Sequence, residues 1–253
     1  MAVLFSKEWK IEDVSAVLFD KDGTFVDSDI YWGKLGEMRI KAIIKHFNLP
    51  FELFENLAQV IGLDAKTGRL ICGGPLAALS RDEVICILTN ELVKNNNIFT
   101  DTVEVAQIFQ KVHDKFIQNM FDYTFILDGA LELFERLKNA NVKMAVVTSD
   151  TYEHTVKTLE YLNISHYFDC VVGCDTIKEP KSTGVPALFA LDKLKIDNLN
   201  AIVIGDAPMD AQMAKNGSLK GSILVKSEQI SDNSLKAYSN IIVNNLSEIM
   251  VKL

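Results

Sequence analysis

The sequence predicts an α/β protein: an open, doubly wound parallel sheet of Rossmann-like form, interrupted by an inserted all-α domain. Three observations lead there. Short apolar runs recur along the chain and break off at Asp, Gly or Ser. Amphipathic helical patterns separate several of them. One interval between successive runs is far too long for a single crossover helix.

The runs are "AVLF" (Ala16–Phe19), "KMAVVT" (Lys143–Thr148), "CVVG" (Cys170–Gly173), "AIVIG" (Ala201–Gly205) and "SILV" (Ser222–Val225). A strand buried on both faces reads as a continuous apolar run, which suits a parallel sheet covered by helices. The helices between them include "ALELFERLKNA", with Leu131, Phe134 and Leu137 expected on the buried stripe, "TYEHTVKTLEYL" and "GVPALFALDKL". Strands alternating with helices form right-handed βαβ units, which bring every strand's C-terminal end to one edge, where α/β proteins bind ligands.

Between Asp20 and Lys143 the chain has few strand-like runs. It carries instead the helical stretches "DIYWGKLGEMRIKAIIKHF", "FELFENLAQVIG", "SRDEVICILTNELVKNN" and "TVEVAQIFQKVHDKFIQNM". We read residues 28–123 as a helical domain inserted after the first strand, and residues 1–27 with 124–253 as the α/β core. "GLDAKTGRLICGGPLAALS" reads as a loop within the insert, and "KNNN" as a helix end and turn.

Composition narrows the function. A net charge of −8 over 253 residues argues against a nucleic-acid or membrane-surface partner, since both call for basic patches. No apolar run is long enough to span a bilayer, and the start, "MAVLFSKEWKIEDVSA", meets charge too early for a secretory signal. A cytoplasmic protein is expected. Cys72, Cys86, Cys170 and Cys174 form no metal-binding pattern and are expected to be buried, reduced thiols. The four histidines, His46, His113, His154 and His166, show no ligand-like spacing and no activating partner.

The chemistry collects where strands stop. The first ends in Asp20-Lys21-Asp22-Gly23-Thr24, the second in Thr148-Ser149-Asp150, and "AIVIGDAPMD" in Asp206 and Asp210. On one sheet edge these carboxylates repel one another unless a cation sits among them, and an all-oxygen set favours a hard ion, Mg²⁺ first. Hydroxyls and free N–H groups at a strand-to-helix turn suit phosphate oxygens. Two acids two positions apart on an extended segment point the same way, so a local loop is needed to separate them, and Gly23 supplies the latitude. Lys21 alternates to the opposite side and is read as a solvated or domain-facing charge.

With these motifs the chain resembles the haloacid dehalogenase superfamily, in particular its Mg²⁺-dependent phosphatases with an inserted helical cap, many of which look like phosphoglycolate phosphatases. Asp20–Thr24 match the family's DxDGT, Thr148 its second motif, and Gly205-Asp206-Ala207-Pro208-Met209-Asp210 its GDxxxD. Lys181 is the better match to the motif lysine and Lys178 the alternative. The resemblance implies that Asp20 is the nucleophile forming an aspartyl phosphate, and Asp22 the general acid and then base. Asp20, the Asp22 carbonyl, Asp206 and Asp210 would hold Mg²⁺, and Thr148, Ser149 and Lys181 the phosphoryl group. The cap residues Trp32, Lys66 and Arg69 are candidates for reading the substrate. The implied substrate is a small phosphorylated metabolite such as phosphoglycolate or a sugar phosphate. The alternatives are a phosphosugar mutase of the same fold and a non-catalytic phosphate-binding module.

Overall fold

The computed structural model describes residues 1–71, 73–226, 235–239 and 241–253. Its strands are β1 (Ala2–Phe5), β2 (Lys10–Val14), β3 (Ala16–Phe19), β4 (Lys143–Val147), β5 (Cys170–Val172), β6 (Ala201–Gly205), β7 (Gly221–Val225), β8 (Ile242–Val243) and β9 (Met250–Lys252). Its helices are α1 (Ser28–His46), α2 (Phe54–Val60), α3 (Pro75–Ala78), α4 (Arg81–Asn95), α5 (Thr102–Phe116), α6 (Ala130–Asn139), α7 (Tyr152–Tyr161), α8 (Val185–Leu194) and α9 (Pro208–Asn216). The chain divides into two compact units, Met1–Asp27 with Phe125–Leu253, and Ser28–Thr124.

In the first unit six parallel strands lie in the order β5-β4-β3-β6-β7-β8. β3 is central, and all four of its residues are buried. Its pleat divides them between two cores. Val17 and Phe19 pack with Ala130, Leu133, Phe134 and Leu137 of α6 and Leu159 of α7. Ala16 and Leu18 pack on the other face with Ala187, Ala190 and Leu191 of α8 and Met213 and Ala214 of α9. Strand order runs outward from β3 through β4 to β5, then restarts on the other side with β6, so the sheet is doubly wound and its direction switches beside β3.

The α6 stripe differs from the expected one. Ala130, Leu133, Phe134 and Leu137 face inward at i, i+3, i+4 and i+7, and Leu131 is exposed. A spacing of three repeated twice drifts off a 3.6-residue helix, which is why Leu131 rotates away from the sheet.

A second, antiparallel sheet of order β2-β1-β9 joins the two ends of the chain, with Val3 opposite Lys252. None of its strands is among the predicted runs. The cysteines also differ from expectation: Cys86 and Cys174 are exposed and Cys170 is half-buried, all as free thiols. The expectation for Cys72 lies outside the described residues.

The Ser28–Thr124 unit is helical and has apolar clusters of its own. One gathers Ile40, Ile43 and Leu57 with Leu88, Leu92 and Phe109; the other gathers Leu35, Val112, Phe116 and Met120. Ser80 and Glu83 form a reciprocal capping box that starts α4, and Asp101 caps α5 by accepting the Glu104 N–H at 2.9 Å. The stretch read as a loop contains the short helix α3 and a bridge between Leu63 and Leu70. Trp32 and Lys66 are exposed, and Arg69 pairs with Asp29 at 3.6 Å.

Phe134 is fully buried and meets Phe19, Phe25 and Phe168 edge-on, with ring centroids 5.3, 5.5 and 5.1 Å away. Phe134→Ala leaves an aromatic-sized cavity between α6 and the sheet. We expect chemical denaturation to show a loss of about 3–5 kcal/mol; a loss under about 1 kcal/mol would mean that this cluster is not a packing centre.

Candidate active site

Sheet register brings the predicted residues together. Phe19 is level with Val146 on β4 and Ile204 on β6. The chain therefore leaves the sheet at Asp20, Thr148 and Asp206 within about one residue of the same level. The Asp20 N–H still donates to the Ile204 carbonyl at 2.9 Å, and the Thr148 N–H to Val172 at 3.0 Å, so both residues are fixed by the last rungs of the ladder.

Lys181 arrives from a 3₁₀ turn, Lys181–Thr183, that precedes α8. The turn closes through Gly184 at φ +83°, where a Cβ would come within 2.3 Å of the Gly217 nitrogen. Buried Lys181 Nζ lies 2.6 Å from Asp20 Oδ1 and 2.6 Å from Asp210 Oδ1. Lys178 is exposed and lines the same cavity as Lys181, without being paired to the carboxylates in the way Lys181 is. Asp210 Oδ2 accepts the Ala207 N–H at 2.9 Å, which seats this carboxylate at the first turn of α9. Gly205 leaves room for it, because a Cβ there would overlap the Asp210 carboxyl at 2.1 Å.

Asp20, Asp206 and Asp210 are all buried, and each offers an oxygen within 4.8 Å of the others. Burial pushes the Asp20 pKa up to about 6 against the pull of Lys181. Burial, with Asp20 and Asp210 beside it, pushes Asp206 well above the usual carboxylate range. For Lys181, burial works against the ammonium, but Asp20 and Asp210 outweigh it and hold its pKa above the ordinary lysine range.

This cluster fits a hard cation. Three buried carboxylates converge with the ammonium of Lys181 among them, and every donor is an oxygen. Asp210 Oδ1 is buried, and its partner is the Lys181 ammonium.

Asp20 and Asp22 are separated by the turn that follows. The Lys21 carbonyl accepts the N–H groups of Phe25 and Val26 at 3.2 and 3.1 Å, and Gly23 takes φ +79°. A Cβ on Gly23 would come within 2.3 Å of Asp206 Oδ2. The Asp22 side chain pairs with Lys21. Here the structure corrects the sequence reading. Lys21 is 2% exposed and pairs with both Asp22, at 2.9 Å, and Asp150, at 3.0 Å. Burial opposes its charge, and the two carboxylates outweigh that and raise its pKa. Asp150 also bonds the Nδ1 of His154. Burial disfavours the Asp150 carboxylate, yet His154 and Lys21 hold its pKa down at about 2. His154 thus has a partner that sequence reading missed. The signal was the four-residue spacing of Asp150 and His154 across a helix start.

Thr148 is buried, and its Oγ1 accepts the Asp150 N–H at 3.1 Å. Thr148, Ser149, Lys181 and Met209 line a cavity of about 260 Å³. The cavity thus sets hydroxyl groups and an ammonium at one place.

Residues 14–217 match the family model of the haloacid dehalogenase-like hydrolases. A phosphoglycolate phosphatase of Aquifex aeolicus is 27% identical, over 89% of this chain and 94% of that one. Among solved structures, a predicted phosphoglycolate phosphatase from Haemophilus somnus superposes with a TM-score of 0.67 at 18% identity, over 94% of this chain and 97% of that one. A β-phosphoglucomutase from Clostridium difficile superposes with a TM-score of 0.55 at 20% identity, over 93% and 92%. At these identities the two structures establish the fold alone. The chain belongs to the haloacid dehalogenase-like hydrolases, as an enzyme of their phosphatase type, a phosphoric monoester hydrolase.

Proposed function

We propose that this enzyme removes the phosphoryl group from a small phosphate monoester, with Mg²⁺ as cofactor and Asp20 as nucleophile. The observation that carries the reading is the convergence of Asp20, Asp206 and Asp210 on Lys181 at the switch point of the sheet. Asp20, the Asp22 main-chain carbonyl and Asp206 would hold Mg²⁺, with Asp210 orienting that shell. Bound there, the ion would supply positive charge to the phosphoryl oxygens and to the crowded carboxylates.

The chain's own groups divide the remaining work. An Asp20 carboxylate oxygen attacks phosphorus; a P–O bond forms to Asp20, the bond to the leaving oxygen breaks, and an aspartyl phosphate results. Asp22 gives the leaving oxygen its proton, then takes one from the water that attacks phosphorus and restores Asp20. The Thr148 hydroxyl, the Ser149 N–H and the Lys181 ammonium hold the phosphoryl oxygens through both steps. The two acids serve different roles because they face opposite partners: Asp20 is paired with Lys181, and Asp22 with Lys21.

Phosphoglycolate is the first ester to test, on the strength of the Aquifex relative. Residues 28–124 would form the cap that selects the ester, and a cytoplasmic metabolite is the expected partner. The mutase alternative shares the aspartyl phosphate but has only fold-level likeness behind it. Phosphate release from phosphoglycolate and a panel of sugar phosphates is expected to need Mg²⁺, to stop with a chelator, and to fall by roughly 10³-fold or more in Asp20→Asn. Interconversion of sugar phosphate isomers without phosphate release would favour the mutase.

Metal binding also has a signature in stability. Burial raises the Asp20 pKa from 3.8 to about 6, and Asp206 moves the same way. The folded, metal-free protein therefore holds more protons than the unfolded chain between these values. The stabilising effect of these protons is full below the unfolded pKa and is lost as pH rises through about 6. Mg²⁺ is expected to raise the melting temperature more at about pH 7.5 than at about pH 5. No shift, or an equal shift at both, counts against the metal site.

A further inference from the structure

A second ion network, built on the buried Lys21, lies beside the carboxylate cluster, and the steps above give Lys21 and Asp150 no part of their own. Lys21 Nζ sits 2.9 Å from Asp22 Oδ1 and 3.0 Å from Asp150 Oδ2, and Lys21 is 2% exposed. Asp150 is itself fixed on several sides. Its Oδ1 accepts the Thr151 N–H at 2.7 Å, its Oδ2 bonds His154, and its own N–H donates to Thr148 Oγ1 at 3.1 Å. The Asp22 side chain, by contrast, is 40% exposed.

An exposed carboxylate on a short side chain next to a Gly turn has several rotamers open to it. A buried ammonium held by an immobile carboxylate removes that freedom. We propose that Lys21 is a positioning residue that holds the Asp22 side chain in place, with Asp150 as its anchor in the loop that carries Thr148 and Ser149. The inference rests on the phosphatase reading, in which Asp22 is the proton donor. It links that donor to the phosphoryl-binding loop through one buried side chain, so acid and phosphoryl group keep a fixed separation. A lysine that merely neutralised the half-buried Asp150 would have no need to reach Asp22 as well.

The two roles separate by leaving group. An alkyl phosphate leaves as a strong base and needs the proton from Asp22; p-nitrophenyl phosphate leaves as a weak base and needs it little. kcat/KM reports the steps through departure of the leaving group, so it isolates this demand. Lys21→Met keeps the apolar stem and removes the charge. It is expected to lower kcat/KM at least about tenfold on an alkyl ester and less than about threefold on p-nitrophenyl phosphate. Lys21→Arg restores part of the alkyl-ester rate, and Asp150→Asn repeats the Lys21→Met pattern in milder form. An equal loss on both esters, or no loss on either, overturns the positioning role. If Lys21→Met does not fold, Lys21→Arg and Asp150→Asn carry the same comparison. Wild-type protein with no turnover on any ester in Mg²⁺ would instead sink the phosphatase reading, and the assignment of Lys21 with it.

Discussion

Burying three carboxylates within 4.8 Å of one another is the constraint around which the α/β unit is arranged. Like charges at that range, out of water, disfavour the folded state unless opposite charge is delivered to the same place. Lys181 is that delivery, and its approach dictates local sequence. It needs the 3₁₀ turn, Gly184 in the left-handed region, and a close pass of Gly184 against Gly217. The carboxylates themselves need Gly23 and Gly205, because a methyl group at either position would occupy the space of Asp206 or Asp210. The glycines of the motifs are thus volumetric requirements of the acids that follow or face them.

The sheet enforces the same constraint from the other direction. β3, β4 and β6 are in register, so their ends lie level and the residues just beyond them crowd together whatever their sequence separation. Charge is then sorted across β3. Asp20, at the end of the strand, faces Lys181; Lys21, one residue on, faces Asp150; and the turn at Gly23 returns Asp22 to Lys21. Two acids two residues apart are thus held by two ammonium groups, one for each acid.

How much of this is visible in the sequence depends on whether the signal is local. β3, β4, β5, β6 and β7 are legible because burial on both faces demands continuous apolar residues. β1, β2 and β9 are not, because their pairing joins residues at opposite ends of the chain and the β2 segment, "KIEDV", buries only Val14. Asp20, Asp22, Asp206 and Asp210 stand out through fixed spacings beside strands. Lys21 was misread for a physical reason. Alternation correctly sends it to the side opposite Asp20, but whether that side is water or protein depends on Asp150, more than a hundred residues away. The exposed thiols of Cys86 and Cys174 are a similar case, since residue type predicts burial only on average.

The same division explains why the chemistry can be read further than the substrate. In the proposed function, the polar groups gathered at the end of β3 address the phosphoryl group that every phosphate monoester shares. Nothing in that set distinguishes one alcohol portion from another. On that reading discrimination falls to surfaces outside the motifs, for which residues 28–124 are the candidates. They pack around apolar clusters of their own, centred on Leu57 and Phe109 and on Leu35 and Phe116. Such a unit can exchange surface residues such as Trp32, Lys66 and Arg69 without disturbing the register that holds Asp20 and Asp206 level. Strict constraint on the sheet edge and freedom in the helical unit would then be two consequences of one arrangement, in which the proposed catalysis depends on buried charge and the proposed selectivity on surface shape.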